Sequence, residues 1–272
     1  MDSAPKFEIL ARAGYVARGV VFLLVAALSL FSGFGSGEAD TQSALETVLQ
    51  QPLGRVWLGL IAVGLVGFVA WRLAQSLADA DHHGKEAKSL VIRAALLGSA
   101  ATYVGLAVYA LSHALSFDAG SGGGGGEQGL AAWAMSKPFG RYLAGAIGIG
   151  FIIGGGVTIY KGVTQKFRKY LKLGDDRRSP LALLCVYGLA ARGVLFAIIG
   201  IFFVYAALTV DPQQAGSMAD ALEWIRQLPF GSILYLITAV GLAAFGIYNF
   251  VEARYRVVDA PSLDELRRAS PV

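Results

Sequence analysis

Apolar residues in this chain fall into six long blocks, over roughly 10–33, 53–77, 90–115, 139–163, 181–209 and 231–251. Each block meets the roughly 20 mostly apolar residues that a helix needs to cross a bilayer. Runs such as residues 19–30 show no alternation at every second position, so a barrel is excluded. Inside lipid the backbone must satisfy its own hydrogen bonds, and the pattern therefore predicts six transmembrane helices. Shorter helical stretches are expected over 43–49, 129–135 and 220–226, one ahead of each second span.

The pattern repeats. Gly14, Arg18, Gly19 and Phe22 recur as Gly188, Arg192, Gly193 and Phe196, while the middle copy reads Gly98, Thr102 and Tyr103. A Pro-apolar-Gly corner starts at Pro52, Pro138 and Pro229, and Gly64, Gly150 and Gly241 follow at matching places. A fixed period marks a repeat architecture. Two spans per unit keep successive units in one orientation, so the repeats are parallel and not inverted. They cover 8–80, 88–172 and 180–258, followed by a tail over 259–272. A three-fold ring of units and a linear array would share this signature. At the corner, proline keeps the residue before it out of helical geometry, and glycine is expected to supply the freedom to turn. Trp57, Trp133 and Trp224 lie near the same ends of their spans, where aromatic rings anchor at headgroup level. Glycines crowd the fourth span, from Gly145 to Gly156. Small residues let helices approach closely, which predicts that this span is the most central or the most tightly packed. A permeation path with backbone access is the alternative.

Charge orients the chain. Residues 1–12, 72–95, 161–180 and 252–272 hold 17 Lys and Arg, against 4 over 31–56, 116–141 and 209–231. Basic residues stay cytoplasmic, so both termini are expected inside, in a bacterial inner membrane. The basic hinge over 161–178 also suits contact with anionic lipid headgroups. Hydrophobic residues make up 55% of the 272, charged residues 15%, and mean hydropathy is +0.57. These values exclude a disordered chain and most soluble enzymes. Net charge is +4, but no folded basic module accompanies it, so nucleic acid is not an expected partner. Cys185 is alone and lies in an apolar block, which rules out an internal disulfide. The first block reads as a retained span and not as a cleaved signal.

The repeated Gly-x-x-x-Arg-Gly-x-x-Phe element, the Pro-x-Gly corner and the closing Ala253, Arg254, Tyr255 and Arg256 resemble one bacterial membrane family, domain of unknown function 1206. The resemblance covers about residues 8–258 and implies three tandem two-helix units. It implies no particular activity. The middle copy departs from the element at Thr102 and Tyr103.

Ionisable residues inside spans are the strongest functional pointers in a membrane protein. Arg18 and Arg192 hold the same place in two units, and Thr102 holds it in the third. Gly14, Arg18, Phe22 and Val25 share one helical face. The second spans end with Arg72 and Gln75, with Lys161, and with Asn249 and Glu252. If the units close into a ring, these groups converge with more cations than carboxylates, as an inward-facing anion site would. Alternatively, Arg18 and Arg192 pair with Glu252, Asn249 or Gln75, or snorkel to the cytoplasmic surface.

Signals for catalysis are weak. Asp79, Asp81, His82 and His83 lie together in a polar loop without a further ligand, and His113 is alone. The run over 120–126 reads as a flexible linker, since no phosphate-loop Lys follows it. Neither cofactor nor metal is expected, nor an enzyme. The expected function is a non-catalytic scaffold or accessory subunit that associates through helix faces, with a protein partner or a second copy. The alternative is a small transporter or channel with an inward-facing anion vestibule.

Overall fold

A computed structural model describes residues 3–32, 41–77, 87–116, 127–171 and 179–256. Among the described residues there are nine α-helices and no strand. They are α1 (Ser3–Ser32), α2 (Thr41–Leu49), α3 (Gly54–Leu77), α4 (Ala87–Ala114), α5 (Glu127–Met135), α6 (Gly140–Val163), α7 (Pro180–Thr209), α8 (Met218–Arg226) and α9 (Gly231–Tyr255). Six of them, α1, α3, α4, α6, α7 and α9, are long and apolar enough to cross a membrane. The expected class therefore holds: an all-α, multi-pass membrane protein. The loop with His82 and His83, the glycine run over 120–126, the tail over 259–272 and part of the basic hinge lie outside the described residues.

Helices α2, α5 and α8 are the short surface elements foreseen ahead of each second span. Each buries a narrow apolar stripe, at Leu45 and Val48, Ala131 and Ala134, and Leu222 and Ile225. In α8 the Ser217 hydroxyl accepts from the Asp220 backbone, and the Asp220 carboxylate accepts from the Ser217 backbone. This capping box satisfies the donors that a helix start leaves open.

The corner after each short helix works differently from the sequence expectation. Positive φ falls on the middle residue, at Leu53 (59°), Phe139 (62°) and Phe230 (60°), and not on the glycine. The glycine is needed for space. A Cβ on Gly54, Gly140 or Gly231 would lie 2.3, 2.4 or 1.9 Å from the carbonyl oxygen of Leu49, Met135 or Arg226. The strained middle residues are exposed at 72, 81 and 82%, where large apolar side chains can enter lipid.

The spans pack in a definite order. Helix α3 lies on α4, α6 on α7, and α9 on α1. Each of these seams joins the second span of one unit to the first span of the next. Together with the packing inside the first and third units, this places the spans in the order α4, α3, α1, α9, α7, α6, which would be a ring if α4 also lay on α6. Within units, α1 packs on α3 and α7 on α9, but no comparable packing joins α4 to α6. The series is open inside the middle repeat, whose two spans form its ends.

Glycine sets the seams. In the first and third units a Cβ on Gly64 or Gly241 would lie 2.5 or 2.3 Å from that of Ala17 or Ala191. A Cβ on Gly14 or Gly188 would meet the backbone of Phe68 or Phe245 at 2.5 or 2.4 Å. Between units, Gly19 meets Gly246, Gly193 meets Gly155 and Gly200 meets Gly148. The fourth span, α6, is tightly packed on α7 but is not central. Only 17% of its apolar window is buried, the least of the six. One of its glycine rows packs on α7, while Gly150, Gly154 and Gly156 face open space.

Gly64→Val overfills a closed seam and should destabilise the fold by about 1–3 kcal/mol. Gly156→Val adds its side chain in open space and should stay within about 0.5 kcal/mol of wild type. Thermal unfolding of both variants in the same uncharged detergent distinguishes them. Equal midpoints would contradict the close packing of α1 on α3.

Candidate intramembrane arginine site

The closed seams fix where the span arginines go. Arg18 follows Ala17 on α1 and is 1% exposed. Its guanidinium carbon lies 4.9 Å from the ring centre of Phe68, 5.0 Å from Phe245, 5.4 Å from Tyr103 and 5.7 Å from Phe22. Its Nε donates to the Tyr103 hydroxyl at 2.6 Å. The rings come from α1, α3, α4 and α9, so this one cation ties three units together. Aromatic faces attract a desolvated guanidinium, with about 2 kcal/mol at a good contact.

Arg192 occupies the equivalent place on α7. It lies 4.2 Å from Phe196, 4.7 Å from Phe245 and 6.0 Å from Phe22. Both guanidinium carbons are close to the Phe245 ring, which puts them within about 10 Å of each other, a separation of one Debye length at most. Phe22 and Phe245, which both cations approach, meet edge to face at 4.8 Å. Arg72 stacks on Phe68 at 4.7 Å and donates from Nη1 to Gln75 Oε1 at 2.9 Å.

The rest of the polar inventory is arranged otherwise. Asn249 is fully buried and donates to the Phe245 carbonyl at 2.6 Å. Glu252 pairs with Arg256 at 2.8 Å, and both are buried. Arg256 in turn faces the rings of Tyr15, Trp71 and Tyr170. Trp71 Nε1 donates to the Tyr15 hydroxyl at 2.8 Å. Thr102 is half-buried and donates to the Gly98 carbonyl of its own helix. Lys161 is half-buried in the last turn of α6. Helix α6 reaches the aromatic cluster through Phe151, edge-on to Phe196 at 5.3 Å.

Neither Arg18 nor Arg192 hydrogen-bonds to Glu252, Asn249 or Gln75, the partners considered from sequence. Among the described residues four buried guanidinium atoms have no hydrogen-bond partner, Arg18 Nη2, Arg72 Nε, Arg192 Nε and Arg256 Nε, the last on a group whose Nη1 donates to Glu252. Sequence reasoning placed Phe22 and Phe196 beside the arginines, but it missed Phe68, Tyr103 and Phe245 as their neighbours and Arg256 as the partner of Glu252. Tyr103 was visible only as a departure from the repeated element. Phe68 and Phe245 hold equivalent places in their second spans, a signal that aligning the spans beyond their glycines would have exposed.

Tandem two-span units arranged around buried arginines define the class, a multi-pass membrane protein built from an internal triplication. The chain belongs to the Domain of Unknown Function family DUF1206, whose profile matches it over residues 13–79, 94–165 and 187–256. It is also similar to an uncharacterized protein, YxxB, of Bacillus subtilis (strain 168), with 33% identity covering 94% of this chain and 93% of the relative. No solved structure matches it.

Tyr103→Phe removes the acceptor of Arg18 Nε and leaves a further buried donor unpaired. The expected loss is about 1.5–3 kcal/mol, as for hydrogen bonds to charged groups. Tyr142→Phe, at an exposed site, should change stability by less than about 0.5 kcal/mol. Denaturation in detergent, followed by tryptophan fluorescence, measures both.

Proposed function

We propose that this membrane protein binds an anion, a phosphate or carboxylate group, at Arg18, Arg72 and Arg192. The supporting observation is that Arg18, Arg72 and Arg192 each keep one buried donor atom without an acceptor, while the carboxylate of Glu252 is taken by Arg256. A buried donor without a partner costs about 1–3 kcal/mol, more when it is charged. An anion recovers that cost and screens the mutual repulsion of the cations. The site is a binding site enclosed within the span bundle, and it carries out no reaction of its own. Binding at that place is what an anion transporter, channel or sensor requires.

The orientation is part of the same reading. The protein resides in the bacterial inner membrane with both termini in the cytoplasm, on the strength of its lysine and arginine distribution. Phe167 is buried and packs edge-on to Tyr248, which holds a short turn whose Lys166 and Lys169 are exposed. Anionic headgroups are the natural contact for these two side chains. A scaffold or accessory-subunit role is the second reading, favoured by the uncovered faces of α4 and α6.

Inorganic phosphate titrated at constant ionic strength tests the site, with the protein in an uncharged detergent. At saturation, about 100 times the dissociation constant, a single site adds about 2.7 kcal/mol. For a chain of this size that is a rise of several degrees in the thermal midpoint, about 5 °C. Arg18→Gln and Arg192→Gln should each remove most of the rise. Lipid discs of phosphatidylglycerol, compared with phosphatidylcholine, show whether the anion comes from a headgroup. The reading fails if wild type and both variants respond alike.

Reporter fusions at each end test the orientation. Alkaline phosphatase, active only outside the cytoplasm, should be inactive at both termini and active when inserted after residue 116. Activity at either terminus would invert the assignment.

A further inference from the structure

The open seam of the middle repeat has a known shape, because the first and third repeats show the same seam closed. Ala17 and Gly64 touch in the first repeat, and Ala191 and Gly241 touch in the third. Their equivalents, Ala101 on α4 and Gly150 on α6, are both exposed, and Gly150 has no neighbour within 4 Å. Gly14 presses on Phe68 and Gly188 on Phe245, yet Gly98 and Gly154 each meet nothing. Trp71 is 0% exposed in its closed seam, while the equivalent Val157 is 42% exposed. Helix α4 thus keeps a first-span face, and α6 a second-span face, each cut for the other type.

Within one chain the two faces are held apart. Ser76 and Arg93 exchange hydrogen bonds that join the end of α3 to α4, at 2.8 and 2.5 Å. Helix α6 is fixed to α7 through the paired glycines Gly148 with Gly200 and Gly155 with Gly193. The short helix α5 packs on α6 and α7, whereas α2 and α8 each touch both spans of their own unit. In sequence, residues 115–126 connect α4 to α5, against 33–40 in the first repeat, so the connection itself imposes no close approach.

We infer that the middle repeat is completed by a second copy of this chain, α4 of each protomer packing on α6 of its partner. Every other first-span face in the chain already lies on a second span, so the complementary face left open is the one another copy supplies. Reciprocal pairing uses both faces of both copies. That makes the contact isologous, and it closes at a two-fold dimer and does not propagate. The glycine surfaces also favour a helix over lipid. Acyl chains are as apolar as leucine and gain nothing from a bare backbone, whereas a helix gains close van der Waals contact there.

The test uses two tagged versions of the full chain, co-expressed on a Cys185→Ala background. One carries Ala101→Cys and the other Gly150→Cys. A short bismaleimide applied to native membranes should join the two tags in one band. Gly145→Cys with Ala207→Cys, whose Cβ atoms lie 3.5 Å apart between α6 and α7, should cross-link within one chain and validates the chemistry. A double variant with Ala101→Cys and Gly150→Cys that cross-links only within its own chain overturns the inference, since the ring then closes on itself. Absence of any cross-link beside a positive control overturns it too, and leaves lipid on the faces. A second measurement is independent of cysteine chemistry. Gly150→Leu projects into open space in a single chain, so it should fold as wild type. It should convert a dimeric mass in detergent to a monomeric one, with dimer dissociation increased at least tenfold. An unchanged dimer in Gly150→Leu counts against the α4–α6 contact.

Discussion

Backbone-to-backbone approach at glycine is the interaction on which the remaining structure depends. Lipid tails are as apolar as leucine, so burial of apolar surface does not bring two spans together in a bilayer. Helices must gain contact that lipid cannot give, and a missing side chain provides it. Gly14 and Gly64 bring α1 onto α3, Gly188 and Gly241 bring α7 onto α9, and Gly19 with Gly246 bring α9 onto α1. These points fix rotation and register as well as distance. Arg18 lies one residue beyond Ala17 and four beyond Gly14, and Arg192 stands in the same relation to Ala191 and Gly188. The seams therefore aim both arginines inward, before any partner of the charge is considered.

Two ways of holding a buried cation occur side by side. Arg256 has the conventional one, a carboxylate one helical turn away in Glu252, with rings of α1 and α3 around it. Arg18 has four rings, one of them the phenol of Tyr103, but no carboxylate. Only arginine suits the second arrangement. Its planar, weakly hydrated group stacks on aromatic faces, while a lysine ammonium would lose far more hydration. Stacking satisfies the faces of a guanidinium and leaves its edge, where the N–H groups point, in need of an acceptor. The unpartnered atoms of Arg18, Arg72 and Arg192 are edge atoms of this kind, as is Arg256 Nε, but only Arg256 also has a carboxylate on its edge. A protein that wanted only stability could have placed apolar residues here at lower cost.

Much of this was legible in the chain. Six apolar blocks match the six long helices to within a few residues, because length and apolarity alone decide what can cross a bilayer. The Arg18 and Arg192 pair could be read because it recurs within a spaced motif. What escaped depended on pairings between elements far apart in sequence. Arg18 and Tyr103 are 85 residues apart, and no local pattern joins them. Glu252 was taken as a partner for the span arginines, but Arg256 is four residues away on the same helix and captures it first. The corner glycines were given the wrong role for a similar reason. Their use is set by the neighbouring helix end, which comes to within 2.5 Å of the absent side chain. The crowding of glycine in α6 named the packing correctly and the position wrongly, since one row serves α7 and another remains uncovered.

The middle repeat shows how two replaced glycines can exchange a seam for a site. Gly19 and Gly193 let a first span lie directly on the second span of the unit before it, against Gly246 and Gly155. In the middle unit the same two places hold Tyr103 and Val69. Side chains of that size leave no room for the backbone contact made elsewhere, so α4 meets α3 through rings, Phe68 and Tyr103 lying edge-on at 4.7 Å. The tyrosine then reaches Arg18, and the arginine of this unit has become Thr102, bonded to its own helix. A third arginine at that place would have raised the repulsion within the cluster. A phenol there lowers it and supplies an acceptor. The middle unit has thus given up its own charge and its closed internal seam together, and the other two arginines share the space that remains.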